Sequence, residues 1–250
     1  MLESSPEADV YTRAQSKMNE LPPLLLIPGL LCDGGLWRNQ IIGLRDCVDT
    51  IVADATRGES VREIAEAVLC NAPERFCLAG FSLGSQIALQ ITQIARERVR
   101  RLALLSATSR GLLPNVKTAI AGAISTIQEG HFEEYLEHSY VEYVHPSRVE
   151  DTGLKCAYVE MARRVGPEAG VRQMRALLSI AGPFTALEQI RCPTLIIGGR
   201  QDHRTTPAAH QKLAQDIPGS VILMIENSGH FTPLEQPDAV TDGMRRWLVS

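Results

Sequence analysis

The sequence predicts an α/β protein whose mostly parallel sheet is flanked by helices and interrupted by one inserted helical stretch. Short apolar runs alternate with longer stretches that are apolar on one side, the sequence form of βαβ units around a parallel sheet. The alternation stops between about 111 and 186 and resumes afterwards. A G-x-S-x-G pentapeptide sits where one apolar run gives way to an amphipathic stretch.

In chain order, Leu24–Ile27 reads as a buried strand ending at Pro28-Gly29, and Thr50–Ala53 as a second. Val61, Ile64, Ala65, Val68 and Leu69 then recur at helical spacing. Arg75–Ala79 reads as a third strand. A helix from Gly84 onward carries Ile87, Ala88, Ile91 and Ile94 on one side, and Arg101–Leu105 forms another strand that breaks at Ser106. The stretch 111–186 reads as helical, broken by Gly, Pro and charge, and so as an inserted cap. Thr194–Ile197 and Val221–Ile225 are the last strands, each followed by a helical stretch. This gives an N-terminal extension at 1–20, a core built from 21–110 and 187–250, and a cap at 111–186. The extension is polar, and Met18 lies just before the first strand.

Composition narrows the possible functions. The 250 residues are 44% hydrophobic and 22% charged, which suits one globular domain and excludes a wholly disordered chain. Twenty-five basic against twenty-nine acidic residues leave a formal charge of −4, without the basic surplus expected of a nucleic-acid binder. The apolar runs are too short to span a bilayer. The start, MLESSPEADVYTRAQ, lacks the apolar stretch of a secretory signal, so a cytoplasmic location is expected. Cys32, Cys47, Cys70, Cys77, Cys156 and Cys192 show no C-x-x-C pair, so no metal site is expected and reduced thiols are. Cys70, Cys77 and Cys192 have apolar neighbours and read as small core residues.

Gly80-Phe81-Ser82-Leu83-Gly84 has the strand-to-helix context that a nucleophilic serine requires. The serine must stand on a sharp, strained turn, and only small residues two positions away avoid a clash. A hydroxyl is a poor nucleophile until a base takes its proton, and that base needs an orienting acid. Asp202 follows the strand Thr194–Ile197, and His230 follows the strand Val221–Ile225. The order Ser, Asp, His is the one this topology requires.

With these blocks (LLLIPGLLCDGGLW, FCLAGFSLGSQIAL, RVRRLALLSATS, CPTLIIGGRQDHRTTP and SGHFTPLEQPDAV) the chain resembles the α/β-hydrolase fold family from Leu24 to Leu248, in particular its small capped bacterial serine hydrolases. The resemblance implies Ser82 as nucleophile, His230 as general base and acid, and Asp202 as orienting carboxylate. The oxyanion hole would use the backbone N–H of Leu83, after the nucleophile, and that of Leu30, after the first strand. Relatives often carry His-Gly where this chain has Pro28-Gly29, which leaves the donor but removes a side chain that braces the loop. The family's usual N-terminal antiparallel hairpin has no clear counterpart before Leu24.

Other residues have competing readings. Trp37 reads as packing rather than substrate stacking, and Asp33 as a turn former. His131, His138 and His145 recur every seven residues, about 10 Å apart along a helix, too far to share a metal. They read as surface histidines. His203 and His210 neighbour Asp202, but neither follows the last strand. Arg163, Arg164, Arg172 and Arg175 read as a solvated helix face, or else as a basic face for an anionic substrate.

The expected activity is cleavage of a small carboxylic ester, lactone or thioester through an acyl-enzyme, with no cofactor. The same groups would also suit carbon–carbon bond hydrolysis, cofactor-free perhydrolysis, a lyase step or a ligand-binding receptor. Dehalogenase and epoxide hydrolase chemistry is disfavoured, because the resemblance would then call for aspartate at position 82. The expected partner is a small ester-like molecule, with neither nucleic acid nor membrane insertion; a homodimer is left open.

Overall fold

The computed structural model describes residues 21–250, so the extension at 1–20 and the question of an N-terminal hairpin lie outside the described residues. Six parallel strands form one sheet in the order β2-β1-β3-β4-β5-β6. They are β1 (Leu24–Ile27), β2 (Thr50–Val52), β3 (Phe76–Phe81), β4 (Val99–Leu105), β5 (Thr194–Gly199) and β6 (Val221–Ile225).

Pleating sends alternate side chains to opposite faces. Leu24 and Leu26 join Ala79, Phe81, Leu105 and Ile197 in one core. Leu25 and Ile27 join Leu78, Leu104 and Ile196 in the other. The first core is closed by α1 (Arg38–Leu44) and α10 (Pro237–Val249), the second by α2 (Val61–Asn71) and α3 (Leu83–Ile94). The five periodic residues of α2 are all buried, and Ser60 starts the helix by accepting from the Glu63 N–H.

The segment between β4 and β5 contains α4 (Pro114–Gln128), α5 (Phe132–Tyr143), α6 (Thr152–Val165) and α7 (Pro167–Leu178), and no strand. A small third core of Ile120, Ile127, Val171 and Met174 joins α4 to α7. The remaining α-helices among the described residues are α8 (Pro207–Asp216) and the short α9 (Thr232–Glu235). No described helix is long and apolar enough to cross a membrane.

Several expectations need correction. β3 runs two residues past Ala79 to Phe81, so the turn at Ser82 has almost no lead-in. β2 stops at Val52. Cys70 is exposed and Cys192 only half-buried; of the three cysteines expected in the core, Cys77 alone is buried. The apolar neighbours of Cys70 share its sequence but not its helix face, because each residue turns about 100° from the last. Of the four arginines, Arg163, Arg164 and Arg175 are exposed, as a solvated helix face expects, and Arg172 is half-buried. Arg163 pairs with Glu133, Arg164 with Asp33 and Arg175 with Glu59, while Arg172 donates to the Thr56 carbonyl.

Candidate active site

The site lies at the carboxyl ends of the strands, where β1 and β3 are neighbours although β2 lies outside β1. That is a topological switch point, the place where an open α/β sheet leaves a crevice for a ligand. Ser82 follows β3 directly, with φ +52° and ψ −113°, a conformation that a non-glycine residue holds only under constraint. The constraint is visible. The Ser82 N–H donates to the Leu105 carbonyl at 2.9 Å. The buried Ser85 hydroxyl lies 2.6 Å from the Gly80 carbonyl and 2.9 Å from that of Leu105.

The two glycines of the pentapeptide are required by space. A methyl on Gly80 would lie 2.2 Å from the Gly84 carbonyl oxygen, and one on Gly84 would lie 2.2 Å from that of Ile27. This crowding also brings the end of β1 against the start of α3, so Pro28-Gly29-Leu30 sits beside the serine turn.

His230 Nε2 is 2.9 Å from Ser82 Oγ, and its Nδ1 is 2.8 Å from Asp202 Oδ2. The other Asp202 oxygen accepts from the backbone N–H groups of Arg204 and Thr205, both at 2.8 Å. Burial pushes the Asp202 carboxyl up, but the charge of His230 and these hydrogen bonds outweigh it and hold the group below the ordinary aspartate range. An ionised Asp202 accepts the Nδ1 proton and leaves the Nε2 lone pair facing the serine hydroxyl. Ser82 is partly open to solvent; His230 and Asp202 are buried.

The His230 loop is fixed on several sides. Its N–H donates to the Tyr143 carbonyl at 2.6 Å, and its carbonyl accepts from the Ser106 hydroxyl at 2.8 Å. The imidazole lies between Phe81, with centroids 5.3 Å apart, and Tyr143, stacked at 5.5 Å. Glu235, also buried, accepts from the N–H groups of Gly229 and His145, so it ties this loop to the chain beyond α5. Its carboxyl is raised by burial, against those two bonds.

The amides of Leu30 and Leu83 donate to no acceptor among the described residues. His203 is exposed and bonds to neither Ser82 nor Asp202. His210 is buried against Gly198, with Nδ1 3.0 Å from the Thr206 carbonyl, and does not touch the serine. Trp37 is fully buried, and Asp33 accepts from the Gly35 N–H at the start of a helical turn. His131 and His138 are exposed and bond to different atoms of Glu134. Among the described residues, no group of three His, Cys, Asp or Glu is placed to hold a metal. A cleft of about 910 Å³ opens elsewhere, between Arg110, Gly182, Phe184 and Lys212, and contains none of these residues.

Sequence reasoning missed Tyr143, Glu235 and Gln173, a buried glutamine of α7 whose Oε1 accepts from the Leu31 N–H at 2.9 Å. Tyr143 and Gln173 lie inside helices that read as ordinary amphipathic ones. Glu235 falls in the SGHFTPLEQPDAV block, but nothing in the sequence shows that its carboxylate faces inward.

Residues 58–237 match the family model described as alpha/beta hydrolase fold. A pimeloyl-[acyl-carrier protein] methyl ester esterase of Vibrio campbellii is 30% identical over 234 residues, 87% of this chain and 91% of its own. An (E)-2-((N-methylformamido)methylene)succinate hydrolase of Acinetobacter baylyi is 23% identical, covering 93% of this chain and 92% of its own. Among solved structures, an esterase from Thermogutta terrifontis superposes with a TM-score of 0.81 at 23% identity, over 91% of this chain and 89% of that one.

Proposed function

Because the chain belongs to the α/β-hydrolase family, we propose that it is a serine hydrolase of small carboxylic esters, lactones or thioesters, acting in the cytoplasm through an acyl-enzyme. The observation that carries this reading is the unbroken chain of short contacts from Ser82 Oγ through both nitrogens of His230 to Asp202. Relatives named as an ester esterase and as a hydrolase agree with it.

In this mechanism the Ser82 oxygen attacks the carbonyl carbon as its proton passes to His230 Nε2. Asp202 stabilises the imidazolium without taking the proton. The carbonyl oxygen, now carrying the negative charge, receives hydrogen bonds from the Leu83 and Leu30 N–H groups, each worth about 3 kcal/mol in the transition state. His230 then protonates the departing alkoxide or thiolate, leaving the acyl group on Ser82. A water molecule, deprotonated by the same nitrogen, releases the acid. The inserted helices act as a cap: Tyr143 at the end of α5 stacks on the imidazole and shields it from bulk water.

A fluorophosphonate probe tests the reading. One covalent adduct should form on Ser82, and Ser82→Ala should lose both the adduct and turnover of p-nitrophenyl butyrate. Labelling of a different serine, or turnover that survives the substitution, would refute it.

A further inference from the structure

The loop that carries the Leu30 amide has an unusual backbone. The Cys32 N–H donates to the Gly29 carbonyl at 3.1 Å, closing a four-residue turn with Leu30 and Leu31 at its centre. Leu31 has φ +55°, while Leu30 is not among the positive-φ residues. A turn with this pattern calls for glycine at its second central position, because a side chain there is strained. A leucine occupies it instead. Rotating the middle peptide would relieve the strain by turning the Leu31 N–H away, so something must hold that peptide.

The holder is Gln173, on the inserted helix α7. It is fully buried. Its Oε1 accepts from the Leu31 N–H at 2.9 Å, and its Nε2 donates to the Ala55 carbonyl at 3.1 Å. One amide thus joins the loop after β1 to the loop after β2. The fit around it is close: a methyl on Gly170, one turn earlier, would lie 2.6 Å from Leu31 Cδ2. Helix α7 is itself fixed to the core by Arg172 on the Thr56 carbonyl, Arg175 on Glu59 and the Val61 N–H on Ser179.

We infer that Gln173 is a positioning residue: it latches the strained turn at Leu31 and so directs the neighbouring Leu30 N–H at the oxyanion. The inference rests on the serine hydrolase reading given above. It makes the inserted segment part of the machinery that stabilises the transition state, and it supplies from the cap a brace for the Pro28-Gly29 loop. The groups latched are main-chain atoms, so Gln173 touches no reacting atom. Its loss should weaken the binding of an oxyanion far more than that of a neutral ester.

The test substitutes Gln173→Met, which keeps length and bulk but breaks both hydrogen bonds, and Gly170→Ala, which presses on Leu31 through a different contact. Turnover of p-nitrophenyl butyrate is measured per active site, titrated with the fluorophosphonate so that unfolded protein is not counted. Each variant that folds should show kcat reduced by about 10–100-fold, less than the roughly 10²–10³-fold cost of removing an oxyanion donor outright because the Leu30 N–H is displaced rather than lost, with KM within twofold. Affinity for a trifluoromethyl ketone, whose adduct on Ser82 carries an oxyanion, should fall in step with kcat/KM. Affinity for butyramide, a neutral ligand of the same acyl length, should change far less. Arg163→Ala, which breaks an exposed pair with Glu133 elsewhere in the insertion, should leave kcat unchanged. If kcat per titrated site stays within twofold of wild type, or falls without loss of ketone affinity, Gln173 has only a structural role and the inference fails. If Ser82→Ala still turns over the ester, the serine hydrolase reading itself fails, whatever Gln173 does.

Discussion

The loops leaving β3, β5 and β6 and the segment inserted between β4 and β5 meet at His230, yet different bonds hold them. The loops are fixed largely by main-chain atoms: Ser82 N–H on Leu105, His230 N–H on Tyr143, and two amides on Asp202. The inserted helices are fixed by side chains. Tyr140 donates to the Arg148 carbonyl, Ser139 bonds Tyr158, Arg164 grips Asp33, and Gln173 joins two core loops. Within the insertion the grip is uneven, with six of twelve residues of α7 buried but only two of fifteen in α4. The lesson is a division of labour. Substitutions in the strand-end loops should act mainly on chemistry, and those in the insertion mainly on stability, with α7 as the place where the two overlap.

The largest expected effect breaks that division most cleanly if it goes wrong. Asp202→Asn keeps shape but favours the wrong tautomer of His230, so kcat should fall by about 10³–10⁴ with KM little changed. His203→Ala should leave kcat within about twofold, since that side chain is exposed and outside the chain of contacts. Steady-state kinetics on both variants decides; near-normal kcat for Asp202→Asn would mean that another acid orients the imidazole.

Next in size is stability inside the insertion. Leu136 in α5 is fully buried, and Leu136→Ala should cost about 2–5 kcal/mol. Ile120 lies in the thinner packing between α4 and α7, so Ile120→Ala should cost about 2 kcal/mol, at the bottom of that range. Urea unfolding of the pair measures the contrast directly. Equal costs would show that α4 is held as firmly as α5.

The smallest effect is also the most specific, because two buried carboxylates near His230 should respond to pH with opposite sign. Asp202 sits below its ordinary value, so the stability it contributes is present above about pH 3.8 and is lost as pH falls through the lowered value. Glu235 sits above its ordinary value, so its contribution is full below about pH 4.5 and is lost as pH rises through the raised value. The cost of Asp202→Asn should therefore shrink towards acid, and that of Glu235→Gln towards neutral pH. Thermal unfolding across pH 3 to 7 separates the two trends, and parallel trends would contradict the assignments.

The same contrast explains what was legible in the sequence. β1 and β6 have the bounds that their apolar runs suggest, although β1 is buried throughout and the edge strand β6 is exposed at its start, because a continuous apolar stretch marks both. β3 and β5 run two residues further than expected, through Gly80-Phe81 and Gly198-Gly199, because glycine reads as a breaker where here it lets another segment come close. Ser82, Asp202 and His230 could be read because each must follow a particular strand. The glutamine at position 173 could not be, since a polar residue on an amphipathic helix reads as facing water unless its partners are known. The same blindness applies to Arg164 and Arg175, whose partners lie more than a hundred residues away.

The long insertion also has a consequence for biosynthesis. Leu102 of β4 pairs with Thr194 of β5, so two adjacent strands are separated by about ninety residues of chain. Closing so wide a loop is not much dearer than closing a shorter one, since halving it would save only about 0.6 kcal/mol. The delay is another matter. A ribosome adding about 5–20 residues per second needs roughly 5–18 s to deliver β5 after β4 has emerged. Throughout that interval the apolar edge Leu102–Leu105 has no strand to pair with on its outer side, leaving the nascent chain sticky for seconds before its sheet can close.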